Sequence, residues 1–285
     1  MAAFGTWGVI PIYFKWLTQV GPWEIIAHRI IWALPVLGIF LLLRDGRKLL
    51  PKLRISTREI GWLAVSGVVL ALNWLLFVWA VVNDRVLATS LGYFITPLVN
   101  ILLGKLFLHE TLTANQKIAV VIAALGTAYL AWFMGQPPWI SLGLAFLFGT
   151  YGLLRKRLSV GPMTGLMWEN MLLVAPAVAY MLWRNQRGEM DFLHLAPVTD
   201  VVLVLAGLVT VLPLIWFNMA TQKLTLSTVG FFTYIGPSMT MLLAVFLWHE
   251  PFTKGHVVAF ACIWSGLALI SFEQIRRLGR KNRIA

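Results

Sequence analysis

Long apolar stretches follow one another along the whole chain, and charged residues, Pro or Gly interrupt them at intervals. A helical stretch of about 17 to 25 apolar residues matches the hydrocarbon thickness of a bilayer. The pattern therefore predicts an all-α integral membrane protein with ten transmembrane helices. We place these helices at residues 2–20, 25–43, 60–82, 86–108, 114–133, 138–154, 164–183, 199–221, 226–248 and 256–272.

Composition supports a membrane protein. Hydrophobic residues make up 59% of the 285 residues and charged residues only 12%, and the mean hydropathy is +0.81. A water-soluble domain of this length has too small a core to hide so much apolar surface. A single cysteine, Cys262, excludes a disulfide framework and a cysteine-based metal site. We therefore expect no metal and no cofactor. The start of the chain, MAAFGTWG, also lacks the features of a cleaved secretory signal.

The net charge of +12 becomes informative once the basic residues are placed on the predicted topology. With a cytoplasmic N-terminus, 16 of the 23 basic residues lie in cytoplasmic connections or in the C-terminal tail, mostly at 44–58, 155–157 and 276–283. This asymmetry follows the positive-inside rule and predicts that both termini are cytoplasmic. Because no soluble domain carries the charge, we expect no nucleic-acid partner. The expected location is a bacterial inner membrane, with the lipid bilayer as the surrounding partner.

The two halves of the chain resemble each other after a shift of 140 residues. LFLHETLT at 106–113 returns as VFLWHEPFT at 245–253, and VGP at 20–22 returns at 160–162. Such self-similarity indicates an internal repeat. We assign residues 1–137 to a first five-helix unit, residues 138–274 to a second, and residues 275–285 to a basic cytoplasmic tail. Gly67/Gly207, Phe77/Phe217, Ala80/Ala220, Pro97/Pro237, His109/His249, Glu110/Glu250, Thr113/Thr253 and Gly126/Gly266 are paired by this shift.

Because five is an odd number of spans, the two ends of a five-helix unit lie on opposite sides of the membrane. The second copy therefore enters the membrane from the side opposite to the first. The repeat therefore predicts two units of inverted topology. In this arrangement the halves can exchange conformations and open a central cavity to each side in turn, as secondary transporters do.

The first helix is shorter than its partner in the second unit. FGTWG at 4–8 pairs with FGTYG at 148–152, but ten residues, Pro138 to Leu147, precede the second motif and only three precede the first. About two helical turns are thus missing. We expect either a short first helix or a start codon that was placed late.

Several segments resemble a known family. EIIAHRIIW at 24–32, LNWLLFVWAV at 72–81, SLGYFITPLVNILLGKLFLHE at 90–110 and GFFTYIGPS at 230–238 are similar to the RarD branch of the EamA transporters, in the drug/metabolite transporter superfamily. The resemblance implies ten helices, cytoplasmic termini, a central cavity and transport of small organic metabolites or drugs, with chloramphenicol as a solute linked to the branch by name. His109 and His249 depart from the family pattern, which often has Gly there.

Arg29 and Glu169 are the strongest site candidates, because ionisable residues at membrane depth default to a functional reading. They are repeat partners of opposite charge, each about 10 Å inside its own face of the membrane. We expect them to line opposite ends of the translocation path, with Glu169 as a candidate proton-coupling carboxylate. The alternatives are a structural pair or an Arg29 side chain that snorkels to the interface. About 10 Å of depth separates the two residues, so a direct salt bridge is not assured; long side chains or a bound zwitterionic solute could close the gap.

Further candidates are polar or aromatic residues within the spans, which suit a cavity for amphipathic or aromatic solutes. His28 could titrate near neutral pH, although a hydrogen bond between helices is the alternative. For the asparagines the alternative is adhesion between helices, and for the aromatic rings it is packing. These substrate or coupling candidates are His28, Asn73, Trp74, Tyr93, Asn100, Asn218 and Tyr234. Prolines inside helices remove a backbone hydrogen bond and are candidate hinges; they are Pro35, Pro97, Pro176 and Pro237.

Two other functional classes remain as alternatives to a carrier that exports small solutes. An intramembrane enzyme would need clustered ligands such as HExxH, and both HETLT and HEPFT have Thr at the last position. We therefore predict no catalytic residues. A passive channel would need a continuous polar stripe. No Walker A motif occurs, so the driving force is a gradient of protons or of another solute. The two His-Glu pairs close the fourth and ninth helices. Each Glu lies just before the next helix, where a carboxylate favours the positive end of the helix dipole, and Thr113 and Thr253 are candidate N-caps of these helices. Direction, coupling ion, substrate and oligomeric state are left open.

Overall fold

The computed structural model describes the backbone of residues 2–46, 49–223 and 234–281, and the side chains of these residues except 217–223 and 274–281. Helices joined by short turns make up the described residues, and no β-strand occurs among them. The helices are α1 (Ala2–Lys15), α2 (Pro22–Asp45), α3 (Leu49–Leu53), α4 (Thr57–Val82), α5 (Val86–Leu108), α6 (Ala114–Met134), α7 (Trp139–Lys156), α8 (Pro162–Gln186), α9 (Pro197–Lys223), α10 (Ile235–Leu242, continued by a π-helical turn at Leu243–Leu247) and α11 (Lys254–Lys281).

Seven of the described helices, namely α2, α4, α5, α6, α8, α9 and α11, are long and apolar enough to cross a bilayer. Their surface is apolar as well: Leu43, Trp132 and Val198 are 83%, 77% and 73% exposed. In water such a surface would cause association, whereas lipid chains accept it. The chain is therefore a multi-pass membrane protein. α1, with 14 residues, and the Ile235–Leu247 segment are shorter than the usual spanning length.

A helix lies in each of the ten predicted spans, but three details were wrong. α1 ends at Lys15 rather than near residue 20, because tight turns follow it; the Leu17 N–H, for example, donates to the Phe14 carbonyl. The short helix α3 was not predicted. In the ninth span, residues 226–233 lie outside the described residues, and Pro237 occupies the first turn of α10 rather than a helix interior. There its missing N–H removes no bond within the helix.

Helix starts follow the expected capping chemistry. Thr113 caps α6 as predicted: its hydroxyl accepts from the Gln116 N–H, while the Gln116 side chain accepts from the Thr113 N–H. Thr253 precedes α11, and its Oγ1 lies 2.8 Å from Nδ1 of His256. Pro22 and Pro162 open α2 and α8 at the first helical position, where a fixed φ favours the helix and no N–H is needed.

The two His-Glu pairs end their helical stretches with the same backbone turn. His109 and His249 both adopt a left-handed conformation with φ of 53°, a region that non-glycine residues enter uncommonly. The N–H of Glu110 then donates to the Gly104 carbonyl at 3.2 Å, and the N–H of Glu250 donates to the Ala244 carbonyl at 2.9 Å. This turn satisfies carbonyls that a helix end would otherwise leave unpaired.

Helices from the two halves of the chain pack extensively against each other. The pairs in contact include α6–α11, α5–α7, α2–α9, α2–α8, α4–α7, α1–α10, α4–α8, α5–α10 and α1–α9. Glycines permit the closest approaches. A Cβ added at Gly207 of α9 would lie 2.2 Å from the backbone carbon of Trp32 in α2, and one at Gly126 of α6 would lie 2.5 Å from Cβ of Cys262 in α11. Small residues of this kind let membrane helices approach and gain dispersion contacts.

We expect Gly207→Ala to destabilise the protein by about 1 to 3 kcal/mol, because the added methyl group would overlap the backbone of α2. Gly38→Ala is the matched control: Gly38 lies within α2, and an added Cβ there meets nothing within 4 Å. Since Ala is the better helix former, Gly38→Ala should unfold at the parent temperature or above it. Thermal unfolding of the purified protein in detergent measures both. Equal unfolding temperatures for the two variants would contradict the tight contact at Gly207.

Candidate functional site

Three of the predicted site residues, Arg29, Trp74 and Tyr93, come together in the structure. The Arg29 guanidinium carbon lies 4.4 Å from the ring centre of Trp74 and 5.3 Å from that of Phe14. The Tyr13 ring lies 5.1 Å from the Phe14 ring, and the Tyr93 ring lies 5.9 Å from the Phe77 ring, which is itself 6.1 Å from Phe14. Arg29, Trp74, Phe14, Tyr13 and Tyr93 form what we call the Arg29 cluster. They come from α1, α2, α4 and α5, so the cluster is built where four helices of the first half converge.

Arg29 is buried without a counter-charge. Its residue is 5% exposed, its Nε has no hydrogen-bond partner, and within the described part of the chain no carboxylate oxygen lies within 4.0 Å of its guanidinium nitrogens. The predicted alternative of a structural salt bridge with Glu169 is not observed. Contact with ring faces stabilises a cation by about 0.5 to 2 kcal/mol, which is less than the several kcal/mol that burying an ion requires.

Tyr13 and Phe14 are members of the cluster that sequence reasoning missed. The Tyr13 hydroxyl donates to the Val202 carbonyl on α9, and the Phe14 ring meets the Phe77 ring edge-on at 6.1 Å between centres. These contacts hold the end of α1 against both halves of the chain. In the sequence both residues look like ordinary members of an apolar span, so only packing could identify them.

Glu169 has partners from both halves of the chain. Its carboxylate accepts from the Ser66 hydroxyl at 2.6 Å and from the Tyr151 hydroxyl at 3.3 Å. Nη1 of Arg155 lies 3.8 Å away, and the Glu169 residue is 1% exposed. Sequence analysis counted Arg155 among the basic residues of a cytoplasmic connection and did not foresee this ion pair. Gly165 makes room for it, because a Cβ at Gly165 would lie 2.0 Å from Nη1 of Arg155.

His28 is held within its own helix rather than between helices, so the expected interhelical hydrogen bond was wrong. The Trp32 indole N–H donates to Nδ1 of His28 at 3.0 Å, one turn along α2. The imidazole ring lies 4.6 Å from the ring of Phe192 in the α8–α9 connection. Nε2 of His28 is buried and has no hydrogen-bond partner. One turn of helix thus sets the orientation of the ring.

The remaining predicted polar and aromatic candidates are dispersed. Asn73 donates to the Leu144 carbonyl at 3.1 Å and so joins α4 to α7, which is the adhesive role. Asn100 is exposed. Tyr234 stacks on Phe94 with ring centres 6.2 Å apart. The side chain of Asn218 lies outside the described residues. Within the described residues, Asn73 and Tyr234 thus have partners other than Arg29.

Glu24 is a strongly anchored residue whose contacts sequence analysis did not predict. It is fully buried, and its carboxylate accepts from the backbone N–H groups of Asp191 and Phe192 at 3.0 and 2.8 Å. Nη2 of Arg184 lies 3.5 Å away. These contacts fix the α8–α9 connection to the start of α2. Glu24 therefore joins the two halves of the chain.

Glu250, from the repeated His-Glu motif, caps helix α5, and sequence analysis did not foresee this contact. Its two carboxylate oxygens accept from the N–H groups of Val86 and Leu87 at 2.7 and 2.8 Å, at the start of α5. Burial raises the pKa of the Glu250 carboxyl, while these two backbone donors act to lower it. The prediction placed this carboxylate at the following helix of its own half. It instead neutralises the positive end of a helix in the other half.

Lys15 reinforces the same region. Its ammonium group forms an ion pair with Asp84 in the α4–α5 connection, and it lies 5.5 Å from the ring centre of Trp248. The end of α1, the start of α5 and the α10–α11 connection are thereby joined at one face of the molecule.

Comparison with known proteins identifies similar chains. The sequence profile described as the EamA-like transporter family matches residues 1–132 and again residues 138–272. The chain is 41% identical over 284 residues to protein RarD of Escherichia coli strain K12, covering 99% of this chain and 96% of that one. It is 38% identical over 276 residues to an uncharacterized transporter of Vibrio cholerae, covering 97% and 91%.

Two further matches extend the comparison. A chloramphenicol-sensitive protein RarD of Pseudomonas aeruginosa is 29% identical over 290 residues, covering 99% of this chain and 95% of that one. A solved crystal structure superimposes with a TM-score of 0.61 at 17% identity, covering 94% of each chain. At this identity the second match supports the fold alone.

We expect Glu250→Ala to destabilise the protein by about 0.5 to 2 kcal/mol, the usual effect of removing an N-terminal helix cap. The matched control is Glu189→Ala, which removes an exposed carboxylate 3.7 Å from Arg184 and should change stability little, since surface ion pairs contribute little. Thermal unfolding in detergent measures both. If both variants unfold at the parent temperature, the Glu250 contacts with α5 do not stabilise the fold.

Proposed function

Because the chain belongs to the EamA-like transporter family, we propose that it is a secondary transporter that exports small organic solutes across a bacterial inner membrane by alternating access. Its solutes are amino-acid-like, amphipathic or chloramphenicol-like molecules. The gradient of protons or of another solute drives transport. Relatives in Vibrio cholerae and Pseudomonas aeruginosa are named as uncharacterized transporters, which favours a carrier over an intramembrane enzyme.

The observation that carries this proposal is the way the two halves pack. The repeat pairs α1 with α7, α2 with α8, α4 with α9, α5 with α10 and α6 with α11. Exchanging each helix for its repeat partner converts α5–α7 into α10–α1, α2–α9 into α8–α4, and α4–α7 into α9–α1. All six of these helix pairs are in contact. The same exchange maps α2–α8, α5–α10 and α6–α11 onto themselves. The double match of the family profile divides the chain at nearly the same place. These facts support two five-helix units at 1–137 and 138–274 with inverted topology.

An inverted repeat supports alternating access because one arrangement of helices can be adopted by either half. Pro35, Pro97 and Pro176 lie inside α2, α5 and α8, where each removes a backbone hydrogen bond and permits bending. We propose them as hinges, together with Pro237 at the start of α10. The basic connections support cytoplasmic termini, with the basic tail at 275–285 on that side.

The Arg29 cluster is the proposed substrate site. Glu169, with its partners Ser66, Tyr151 and Arg155, is the proposed coupling site. Arg29 is buried in the first half among aromatic rings, and Glu169 is buried in the second half beside Ser66, Tyr151 and Arg155. A carboxylate that can exchange a cationic partner for a proton is a suitable coupling group. Glu169 is therefore the candidate proton site.

Transport by purified protein in proteoliposomes tests the proposal. Under an imposed pH gradient, with labelled amino acids, amphiphilic metabolites and chloramphenicol as the panel, we expect saturable accumulation of at least one solute and exchange with unlabelled solute on the other side. Protein-free vesicles are the control. Movement of no solute under any gradient would refute a carrier, and flux that rises without saturation would support the passive channel instead.

Glu169→Gln tests coupling separately. With no ionisable group at this position, we expect uptake driven by a pH gradient to fall to the rate seen without a gradient, while solute counterflow continues. The control Glu189→Gln alters an exposed carboxylate and should leave both rates unchanged. Gradient-driven uptake as fast as the parent's would exclude Glu169 as the proton site. Loss of counterflow as well, with a lower unfolding temperature, would assign it a structural role.

A further inference from the structure

The buried charges of the described residues are unevenly paired. Among the described residues, Glu24, Arg29 and Glu169 are the Asp, Glu, Lys or Arg residues that are buried as whole residues, at 0%, 5% and 1% exposure. Glu24 has Arg184 at 3.5 Å, and Glu169 has Arg155 at 3.8 Å. Arg29 alone among these three has no ion-pair partner in the part of the chain that the structure describes.

An unpaired ion in a low-dielectric interior is strongly unfavourable unless another interaction compensates for it. The faces of Trp74 and Phe14 compensate only in part. An anion that binds beside Arg29 would supply the missing charge partner and so offset the free-energy cost of burying the guanidinium. The guanidinium is suited to this role, because its planar array of donors matches the two oxygens of a carboxylate.

We propose that Arg29 binds the carboxylate of a monoanionic solute whose apolar, aromatic part packs among the rings of the Arg29 cluster. This proposal rests on the transport function proposed above and narrows its substrate class. Arg29 is then the specificity-determining residue, and Trp74, Phe14 and Tyr93 provide the apolar wall. Aromatic walls with few polar groups are the usual lining of sites for such ligands.

The partners that Glu169 and Glu24 already have argue against a zwitterionic solute that would join Arg29 to Glu169. The ammonium group of a zwitterion needs an available carboxylate. Glu169 already accepts from Ser66 and Tyr151 and lies beside Arg155, and Glu24 accepts from two backbone N–H groups. A dianion would need a second cation beside Arg29. A single negative charge is therefore the charge state that this site balances.

Ligand charge is tested with four probes of similar shape on the purified full-length protein. We expect phenylacetate to raise the unfolding temperature at concentrations at least about tenfold lower than neutral phenylacetamide needs, because hydrogen bonds between charged groups are the stronger ones. Phenylalanine, a zwitterion, and phenethylammonium, a cation, should stabilise less than phenylacetate. Equal stabilisation by phenylacetate and phenylacetamide, or tighter binding of phenylalanine, would overturn the proposal.

Variants then assign the effect to Arg29. We expect Arg29→Gln to abolish the preference for phenylacetate over phenylacetamide and Arg29→Lys to retain part of it. Without ligand, Arg29→Gln should be at least as stable as the parent, since it removes an unpaired buried charge. A lower unfolding temperature for Arg29→Gln with an unchanged preference would show that Arg29 is structural. If Arg29→Gln does not fold, the four probes on the parent and Arg29→Lys still decide the question.

A matched control is available in Arg187. Its guanidinium carbon lies 4.4 Å from the ring centre of Trp183, the same distance as Arg29 from Trp74, but Arg187 is exposed. Arg187→Gln should change neither stability nor probe preference by a measurable amount. If it has the same effect as Arg29→Gln, the effect belongs to cationic charge in general and the proposal fails.

Transport measurements separate this inference from the proposed function. If the parent accumulates solutes in proteoliposomes but does not prefer phenylacetate to phenylacetamide, the carrier stands and the inference about Arg29 is overturned. If no solute moves while phenylacetate still binds in an Arg29-dependent manner, the carrier is refuted and Arg29 remains an anion site.

Discussion

A charged or polar group inside a membrane protein has to find its partner within the protein, because the hydrocarbon surroundings offer none. Most of the architecture described above follows from this requirement. Glu24 meets two backbone N–H groups and Arg184, and Glu169 meets Ser66, Tyr151 and Arg155. Most of these contacts join segments distant in the sequence, so satisfying the polar groups also holds the helices together.

Arg29 is informative because it departs from this rule. A structural charge would be expected to have a partner, as Glu24 does. A charge whose partner is a ligand stays unpaired until that ligand binds, and it lowers the stability of the ligand-free protein. The rings of Trp74 and Phe14 make that state tolerable. This contrast is the reason for proposing Arg29 as the residue that meets the solute.

The His-Glu motif shows how a repeated sequence can join two halves of a chain. A left-handed turn at His249 projects Glu250 away from its own helix, and its carboxylate caps α5. The repeat partner Glu110 follows the same turn at His109 but forms an exposed ion pair with Lys156 at 2.5 Å. The same local structure therefore makes different contacts, because the residues around the two copies differ.

The sequence by itself determined the order of the helices and, among those described, the presence of all except the short helix α3. Span length, apolar composition and a 140-residue repeat depend on local pattern, and the structure places a helix in every predicted span. It also pointed to Arg29 and Glu169, since a charge within an apolar run is visible without coordinates. Trp74 and Tyr93 were found for a similar reason, as aromatic rings in a predicted cavity wall.

Only the tertiary structure decided which groups meet. Arg155 looked like one cation of a basic connection, and Tyr13 and Phe14 looked like ordinary residues of an apolar span, yet packing brings Arg155 to Glu169 and the two rings to the Arg29 cluster. Such contacts depend on how far a side chain reaches and on where glycines such as Gly165 and Gly207 let helices approach. Those are properties of the packed interior, because partners far apart in sequence leave no local pattern that would reveal them.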